Sequence, residues 1–291
     1  MVLIVKNLSG HTIDLALKGA KIPGGQTIRY ADRFSLAPGE VQTLAKTVAA
    51  DSVVFHLETG SGRKYTASAK LKPVIVPMVK SFAELEQKAV PQLLNDPVRQ
   101  VPCFEDLSHH GNYTGLDDLS AVFRLGYDRQ YLYLEVRAKD DIHLNDNVPA
   151  RIFNGDCIQF AIDSNRDAKM KRMRGIKGYS DDDFNFVSAL AKGKPYTHCY
   201  TASTETRAKL LNKTCRITPE ITRDEKTKTT LYRVKLAFSD LAPLKPEKGR
   251  NFGFSLILFD RDSTLSYHSM EYTEGVSEPV DPSKYPAFQF E

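Results

Sequence analysis

At 291 residues the chain is long enough for two domains of ordinary size or one large one, and its 41% hydrophobic and 26% charged content excludes a disordered, collagen-like or low-complexity protein. The net charge of +4 is concentrated in the first 75 residues, which hold ten basic against five acidic side chains; a nucleic-acid-binding surface needs a denser basic concentration, so nucleic acid is not an expected partner. No run approaches the ~18 apolar residues of a membrane span, and the opening Met1–Lys6 stretch is too short for a signal peptide, so neither a membrane span nor self-export is expected.

Residues 1–75 read as short strands broken by Gly and Pro. Ile13, Leu15 and Leu17 alternate with Asp14, Ala16 and Lys18, and Val53, Phe55 and Leu57 alternate with Val54, His56 and Glu58, the period of a half-buried strand. Leu36-Ala-Pro-Gly-Glu40 supplies a turn, and Gly60-Ser-Gly62 leads into a further strand over 64–70. This predicts a small Ig-like β-sandwich. Over 76–100, Pro77, Pro91 and Pro97 punctuate a segment in which Ser81 starts a helix over 82–89, with Glu84 as its capping partner; a linker with a short helix is expected there.

From Val101 onward period-2 patterning returns, predicting an all-β chain whose second domain, 101–291, is a larger antiparallel sandwich. In Tyr131–Arg137, Leu132, Leu134 and Val136 oppose Tyr131, Tyr133 and Glu135. Ile158, Phe160 and Ile162 oppose Cys157, Gln159 and Ala161, and Tyr232, Val234, Leu236 and Phe238 oppose Arg233, Lys235 and Ala237. Phe252–Phe259 is apolar on both faces apart from Gly253 and Ser255, the pattern of a central strand covered on both sides.

The sequence has no G-x-S-x-G, H-E-x-x-H, G-x-G-x-x-G or P-loop motif, so no enzyme is expected; a glycosidase pair is defined by distance across a cleft, which is a property of the fold. Cys103, Cys157, Cys199 and Cys215 include no C-x-x-C pair and read as buried thiols, although Cys199 and Cys215 flank a strand-turn-strand region where they could face each other. His109 and His110 point to opposite sides of any strand and read as surface residues. Asp163-Ser-Asn-Arg-Asp167 and Asp181-Asp-Asp183 are oxygen-rich loops of the kind calcium uses, with Asp163, Asp181 and Asp183 as candidate ligands. The basic run 169–174 between them offers an alternative source of neutralisation, and it lacks the interleaved rings of a single-strand nucleic-acid platform.

The run Tyr127–Asp141, with Tyr131-Leu-Tyr-Leu-Glu-Val at its centre, and the run Ile152-Phe-Asn-Gly-Asp-Cys-Ile-Gln-Phe-Ala-Ile-Asp163 resemble the family 9 carbohydrate-binding modules (CBM9). Asp181–Phe186, Tyr232–Leu241, Gly253–Asp260 and Asp281–Tyr285 continue the resemblance in order, so that it spans 101–291. It implies a CBM9-like sandwich of the jelly-roll type, often with structural calcium. It further implies a non-catalytic accessory region, joined to a catalytic domain in a longer secreted polysaccharide-active protein, and an extracellular or periplasmic location. In this family two rings sandwich a sugar while polar side chains bind its hydroxyls. Trp is absent here while Tyr numbers 13 and Phe 15, and by position the first ring is Phe153 and the partner on the next strand is Gln159. Val187 and Ile257 stand where the family is polar, and the second ring's place falls near Pro279.

The leading reading is a module that binds a glycan or oligosaccharide through Phe153, Asn154, Gln159, Asn185 and Tyr272. The alternative is a structural or interaction module that has lost sugar binding, with Phe153 as a core ring and an exposed apolar patch over Val187 and Ile257. Asn7-Leu-Ser9, Asn112-Tyr-Thr114 and Asn212-Lys-Thr214 fit the N-glycosylation triplet, a pattern that also arises by chance.

Overall fold

The computed structural model describes residues 2–21, 27–29, 32–45, 52–70, 72–94, 99–100, 114–168, 178–211, 217, 219–263, 268–273, 275–277 and 280–291. They divide into two compact units, Met1–Pro73 and Val74–Glu291.

The first unit contains β1 (Val2–Lys6), β2 (Ile13–Lys21), β3 (Thr27–Arg29), β4 (Arg33–Leu36), β5 (Val41–Ala45), β6 (Ser52–Thr59) and β7 (Lys64–Lys70). β1 pairs with β5, and β3-β2-β6-β7 run side by side with β4 also on β2. Leu17, Leu36, Phe55 and Leu57 form buried positions of this small β unit, and Gly39 takes the positive φ of 78° that its turn requires. Asn7 is 3% exposed and its Nδ2 donates to the carbonyls of His11 and Leu36 at 2.8 and 2.9 Å. The amide that a glycan would modify is therefore a structural donor; the other two triplets begin outside the described residues.

The second unit runs β8 (Val74–Val76), α1 (Phe82–Lys88), β9 (Gln92–Leu94), β10 (Arg99–Gln100), β11 (Leu119–Tyr127), β12 (Tyr131–Asp140), β13 (Cys157–Asp163), β14 (Asp183–Ala191), β15 (Lys194–Thr201), α2 (Arg207–Leu211), β16 (Glu220–Asp224), β17 (Thr229–Ala237), β18 (Asn251–Asp260), β19 (His268–Glu271) and β20 (Ala287–Phe290). An 8-stranded sheet has the order β10-β19-β18-β13-β14-β15, with β20 joining β18 to β8, and a 5-stranded sheet has the order β16-β17-β12-β11-β9. Among the described residues, every strand pair of this unit is antiparallel except β20 with β8.

The core between the sheets takes alternate residues from each strand, as a pleat requires. Ile158, Phe160 and Ile162 of β13, Phe184 and Phe186 of β14, and Phe252, Phe254, Leu256 and Leu258 of β18 share it with Phe123, Leu132, Leu134, Val136, Val234 and Leu236. Phe160 stacks on Phe186 at 5.3 Å, and Phe123 meets Phe254 at 5.6 Å between the sheets. Everything after Asn251 in β18 is buried, because a separate apolar layer, including Ile152, Cys157, Ala161, Val187, Ile257, Val276 and Tyr285, covers the sheet's other face.

The segment expected as a linker is built into this unit. The Val79 N–H donates to the Tyr127 carbonyl at 2.7 Å and the Tyr127 N–H to the Pro77 carbonyl at 3.0 Å. Val79, Leu85 and Ala89 pack with Tyr133, and Phe82 meets that ring edge-on at 5.2 Å. Ser81 Oγ accepts the Glu84 N–H at 3.3 Å, while the Glu84 carboxylate accepts the Lys80 N–H at 3.2 Å, a capping box displaced by one residue at its return bond. With α1 over it, the middle of the outer face of β12 is also buried: Tyr133 and Glu135 are each 1% exposed. Glu135 is neutralised there by Arg233 at 2.9 Å.

Cys157 and Cys199 are buried thiols. Cys103, Cys215, His109, His110 and the basic run 169–174 lie outside the described residues. Among the described residues no helix is long and apolar enough to cross a membrane.

Docking of α1 carries a test. Leu85→Ala removes a side chain that is 0% exposed and should lower the unfolding free energy by about 2 to 5 kcal/mol in urea denaturation. A change within ~0.5 kcal/mol, as for an exposed linker position, would contradict the docking.

Candidate functional site

The register of the larger sheet sets His198, Val187, Gln159, Ile257 and Glu271 in one row across β15, β14, β13, β18 and β19. Direct antiparallel partners share a face, so this row lies on the side turned away from the inter-sheet core. Val187 and Ile257 at its centre are 0% exposed, and so is Val276 in the layer packed against them. The expected exposed apolar patch is therefore absent here: the segment carrying Val276 covers it. That segment is pinned where the Tyr285 hydroxyl and the Asp281 N–H both donate to the Gly275 carbonyl at 2.9 Å. Gly275 has φ +105°, and a Cβ there would come within 2.5 Å of the Asp281 oxygen, so the bend requires glycine.

Polar side chains of this face are bound mainly to one another. Gln159 Nε2 donates to Asn185 Oδ1 at 3.0 Å, Asn185 Nδ2 donates to the Tyr179 hydroxyl oxygen at 2.5 Å, and that hydroxyl donates to the Val276 carbonyl at 3.1 Å. Burial raises the Tyr179 pKa well above the usual phenol value, so the hydroxyl stays a donor. Glu271, also buried, accepts from Ser277 Oγ at 3.1 Å.

Rings gather towards the β15 edge. A 3-10 turn, Pro149–Asn154, carries Phe153 and Asn154; Asn145 Nδ2 holds it by donating to the Ile152 and Asp156 carbonyls at 2.8 and 3.0 Å. Phe153 meets Tyr200 edge-on at 5.7 Å, and His198 lies 4.6 Å from Tyr200. The register of β15 shifts opposite Asn185 and Phe186, placing Tyr200 at a bulge, a feature that re-aims side chains. Phe153, Asn154, Tyr196, His198 and Tyr200 are all half-buried, leaving part of each available to a ligand. Burial lowers the His198 pKa, so at neutral pH its ring is uncharged and can both donate and accept.

Of the five residues expected to bind sugar, Phe153 and Asn154 sit on the turn beside the rings, and Gln159 is half-buried in the floor. Asn185 is 1% exposed and enclosed in the network. Tyr272 is a correction: its ring enters the inter-sheet core 4.9 Å from Phe123, and its hydroxyl donates to Gln92 at 2.8 Å. Neighbours along a strand point oppositely, so Glu271 occupies the outer face in its place. Tyr196, His198 and Tyr200 were missed, although their period-2 spacing in Lys194–Thr201 marks one face of a strand.

The acidic loops also converge. Asp163, Asp167 and Asp182 bring one carboxylate oxygen each within 4.8 Å of one another, and Asp183 is the antiparallel partner of Asp163. Oδ1 of Asp163 and Oδ1 of Asp183 are buried without a hydrogen-bond partner, which fits a hard cation with oxygen ligands. Asp181 is exposed and outside this group, with Asp182 in its place; within three consecutive acids, the backbone path decides which side chains turn inward. Burial, then the charge of Asp182, pushes Asp163 up to about 6. Burial, with Asp163 and Asp182 adding, pushes Asp183 up to about 7 against the Ser180 N–H. Gly253 leaves room for this crowding, since a Cβ there would lie 3.1 Å from that of Asp163.

Two antiparallel sheets with a ring-bearing outer face define a β-sandwich binding module. The chain belongs to the carbohydrate family 9 binding domain-like family, whose model matches residues 104–285. A family 9 carbohydrate-binding module from Caldicellulosiruptor kristjanssonii in complex with cellotriose is similar in fold, with TM-score 0.54 and 13% identity over 76% of this chain and 94% of that one. A structure of such a module from the same organism in complex with glucose gives the same score and identity over 76% of this chain and 96% of that one. No curated protein matches the chain.

The raised carboxylates predict a pH dependence. An unfolded Asp titrates near 3.9, whereas folded Asp163 and Asp183 hold protons up to about 6 and 7. The folded state therefore binds more protons between those values, and these two groups lower stability as pH rises from ~4 to ~7 without a cation. In chelator, the thermal midpoint of the wild type should fall over this window relative to that of an Asp163→Asn, Asp183→Asn variant. A difference that is flat or of opposite sign would contradict the assignment.

Proposed function

We propose that the second unit is a non-catalytic glycan-binding module whose contact surface is the half-exposed group Phe153, His198 and Tyr200, with Asn154 and Gln159 alongside. The observation that carries this reading is the convergence of these rings at one edge of the sheet's outer face. A sugar presents an apolar C–H face to a ring and hydroxyls to polar neighbours; the rings here supply the first, and His198, Asn154 and Gln159 the second. The cellotriose and glucose bound by the similar modules make the end of a β-glucan the first ligand to test.

The wider reading follows from the family. The unit serves as an accessory region, bringing a catalytic domain of a longer secreted polypeptide to a polysaccharide outside the cell or in the periplasm. Calcium at Asp163, Asp167, Asp182 and Asp183 would hold the strand ends together by supplying the positive charge these oxygens lack.

A second reading, an interaction module without sugar binding, lacks the exposed apolar patch expected of it but is favoured by one observation: Asn185 is buried and its amide is consumed internally. Calorimetric titration with cellotriose, xylotriose and glucose separates the two. The glycan reading predicts saturable heat with at least one of them at millimolar concentration or below. It also predicts a loss of tenfold or more in affinity, about 1.4 kcal/mol, in Phe153→Ala and in Tyr200→Ala. Absence of heat from the folded wild type with all three sugars would leave the interaction reading standing.

A further inference from the structure

A second gathering of titratable side chains lies at one end of the sandwich. Asp260 ends β18 and is the antiparallel partner of His268, which opens β19. Asp118 immediately precedes β11 and Asp141 immediately follows β12 in the other sheet. One ligand atom each from Asp260, Asp262 and His268 lie within 4.8 Å of one another, and so do those of Asp118, Asp141 and Asp262, with Asp262 common to both sets. Asp260 is 1% exposed and His268 3%, yet neither carboxylate oxygen of Asp260 and neither ring nitrogen of His268 has a hydrogen-bond partner. A buried polar group left this way is costly, and more so when charged, so four such atoms in one place point to a missing partner. Asp141 is exposed and Asp262 half-buried, which leaves a path to solvent.

The adjacent carboxylates are compensated differently. His143 Nδ1 lies 3.3 Å from Asp156 and 3.6 Å from Asp140, Arg223 is 3.5 Å from Asp140, and Asp156 accepts the N–H groups of Leu144 and Arg261. Among the described residues no such cation pairs with Asp260.

We propose that Asp260, Asp262 and His268, with Asp118 and Asp141 alongside, form a divalent-cation site that takes zinc in preference to calcium. Calcium is satisfied by six to eight oxygens, whereas an imidazole among carboxylates shifts the preference to a borderline first-row cation. This is what separates the site from the all-oxygen group around Asp163. Ligation needs a neutral ring, and burial lowers the His268 pKa against the charge of Asp118. Burial, with Asp140, Asp156, Asp262 and Asp118 adding, raises the Asp260 carboxyl well above the usual carboxylate range, the direction expected of a carboxyl with no positive charge beside it. Because the ligands come from both sheets, the ion ties the sheets together at this end.

The test uses the full chain, stripped with chelator and dialysed, titrated separately with zinc chloride and calcium chloride by calorimetry and followed by thermal midpoint. The site predicts saturable zinc binding at least tenfold tighter than calcium there, with a rise in the midpoint as the folded state is selectively bound. His268→Gln should abolish the zinc preference, and Asp163→Asn with Asp182→Asn should leave it intact. Cobalt-loaded wild type provides a readout that needs no variant: X-ray absorption should show imidazole in the metal shell. A shell of oxygens alone, calcium binding as tight as zinc in the Asp163→Asn, Asp182→Asn variant, no zinc uptake, or an unchanged preference in folded His268→Gln would overturn the proposal.

Discussion

The larger sheet has to bury both of its faces, and most of what this protein can offer a ligand follows from how it does so. One face is closed by the smaller sheet through the phenylalanine-rich core, in which Phe160, Phe186 and Phe254 form a stacked series. The other is closed by the chain itself, through the turn at 149–154, the residues around Val276, and Tyr285. Each large apolar side chain so buried contributes on the order of 1.5 to 3 kcal/mol. Covering Val187 and Ile257 is therefore favourable, and a hollow over them would not be.

This constraint moves the available surface outward. The centre of the outer face is apolar and shut, so its polar groups, Gln159, Asn185 and Tyr179, spend their hydrogen bonds on one another and on the Val276 carbonyl. Among the described residues, half-exposed rings gather at Phe153, Tyr196, His198 and Tyr200 beside the β15 edge. The same double coverage strands carboxylates at the ends of central strands. Asp163 and Asp183 sit at one end of β13 and β14, and Asp260 ends β18, each placing a carboxyl group where burial disfavours its charged form.

Strands with clean alternation, such as Tyr131–Arg137 and Cys157–Ile162, were legible because period 2 directly reports which side chains share a face. The double burial of Phe252–Phe259 was legible for the same reason. The docking of α1 was not: its cap is a local signal, but Leu85 differs from an exposed leucine only through Val79 and Tyr133, which are brought to it by tertiary packing. Tyr272 was misplaced because β19 is four residues long and uniformly buried, so no alternation tells which neighbour faces outward. Among Asp181, Asp182 and Asp183 the choice depends on a turn at Ser180 and not on composition. The rings of β15 were readable in spacing, yet their meeting with Phe153 depends on a bulge and a 3-10 turn that no pattern announces.

The central claim is that a glycan meets this protein at the uncovered edge of an otherwise closed sheet. The most direct measurement is an NMR titration of the isotopically labelled full chain with cellotriose, following backbone amides residue by residue. The account predicts that signals of Phe153, Asn154, His198 and Tyr200 shift together and saturate along one binding curve. Shifts confined to the segment around Val276 or to Met1–Pro73, or no saturable shift at all, would contradict it.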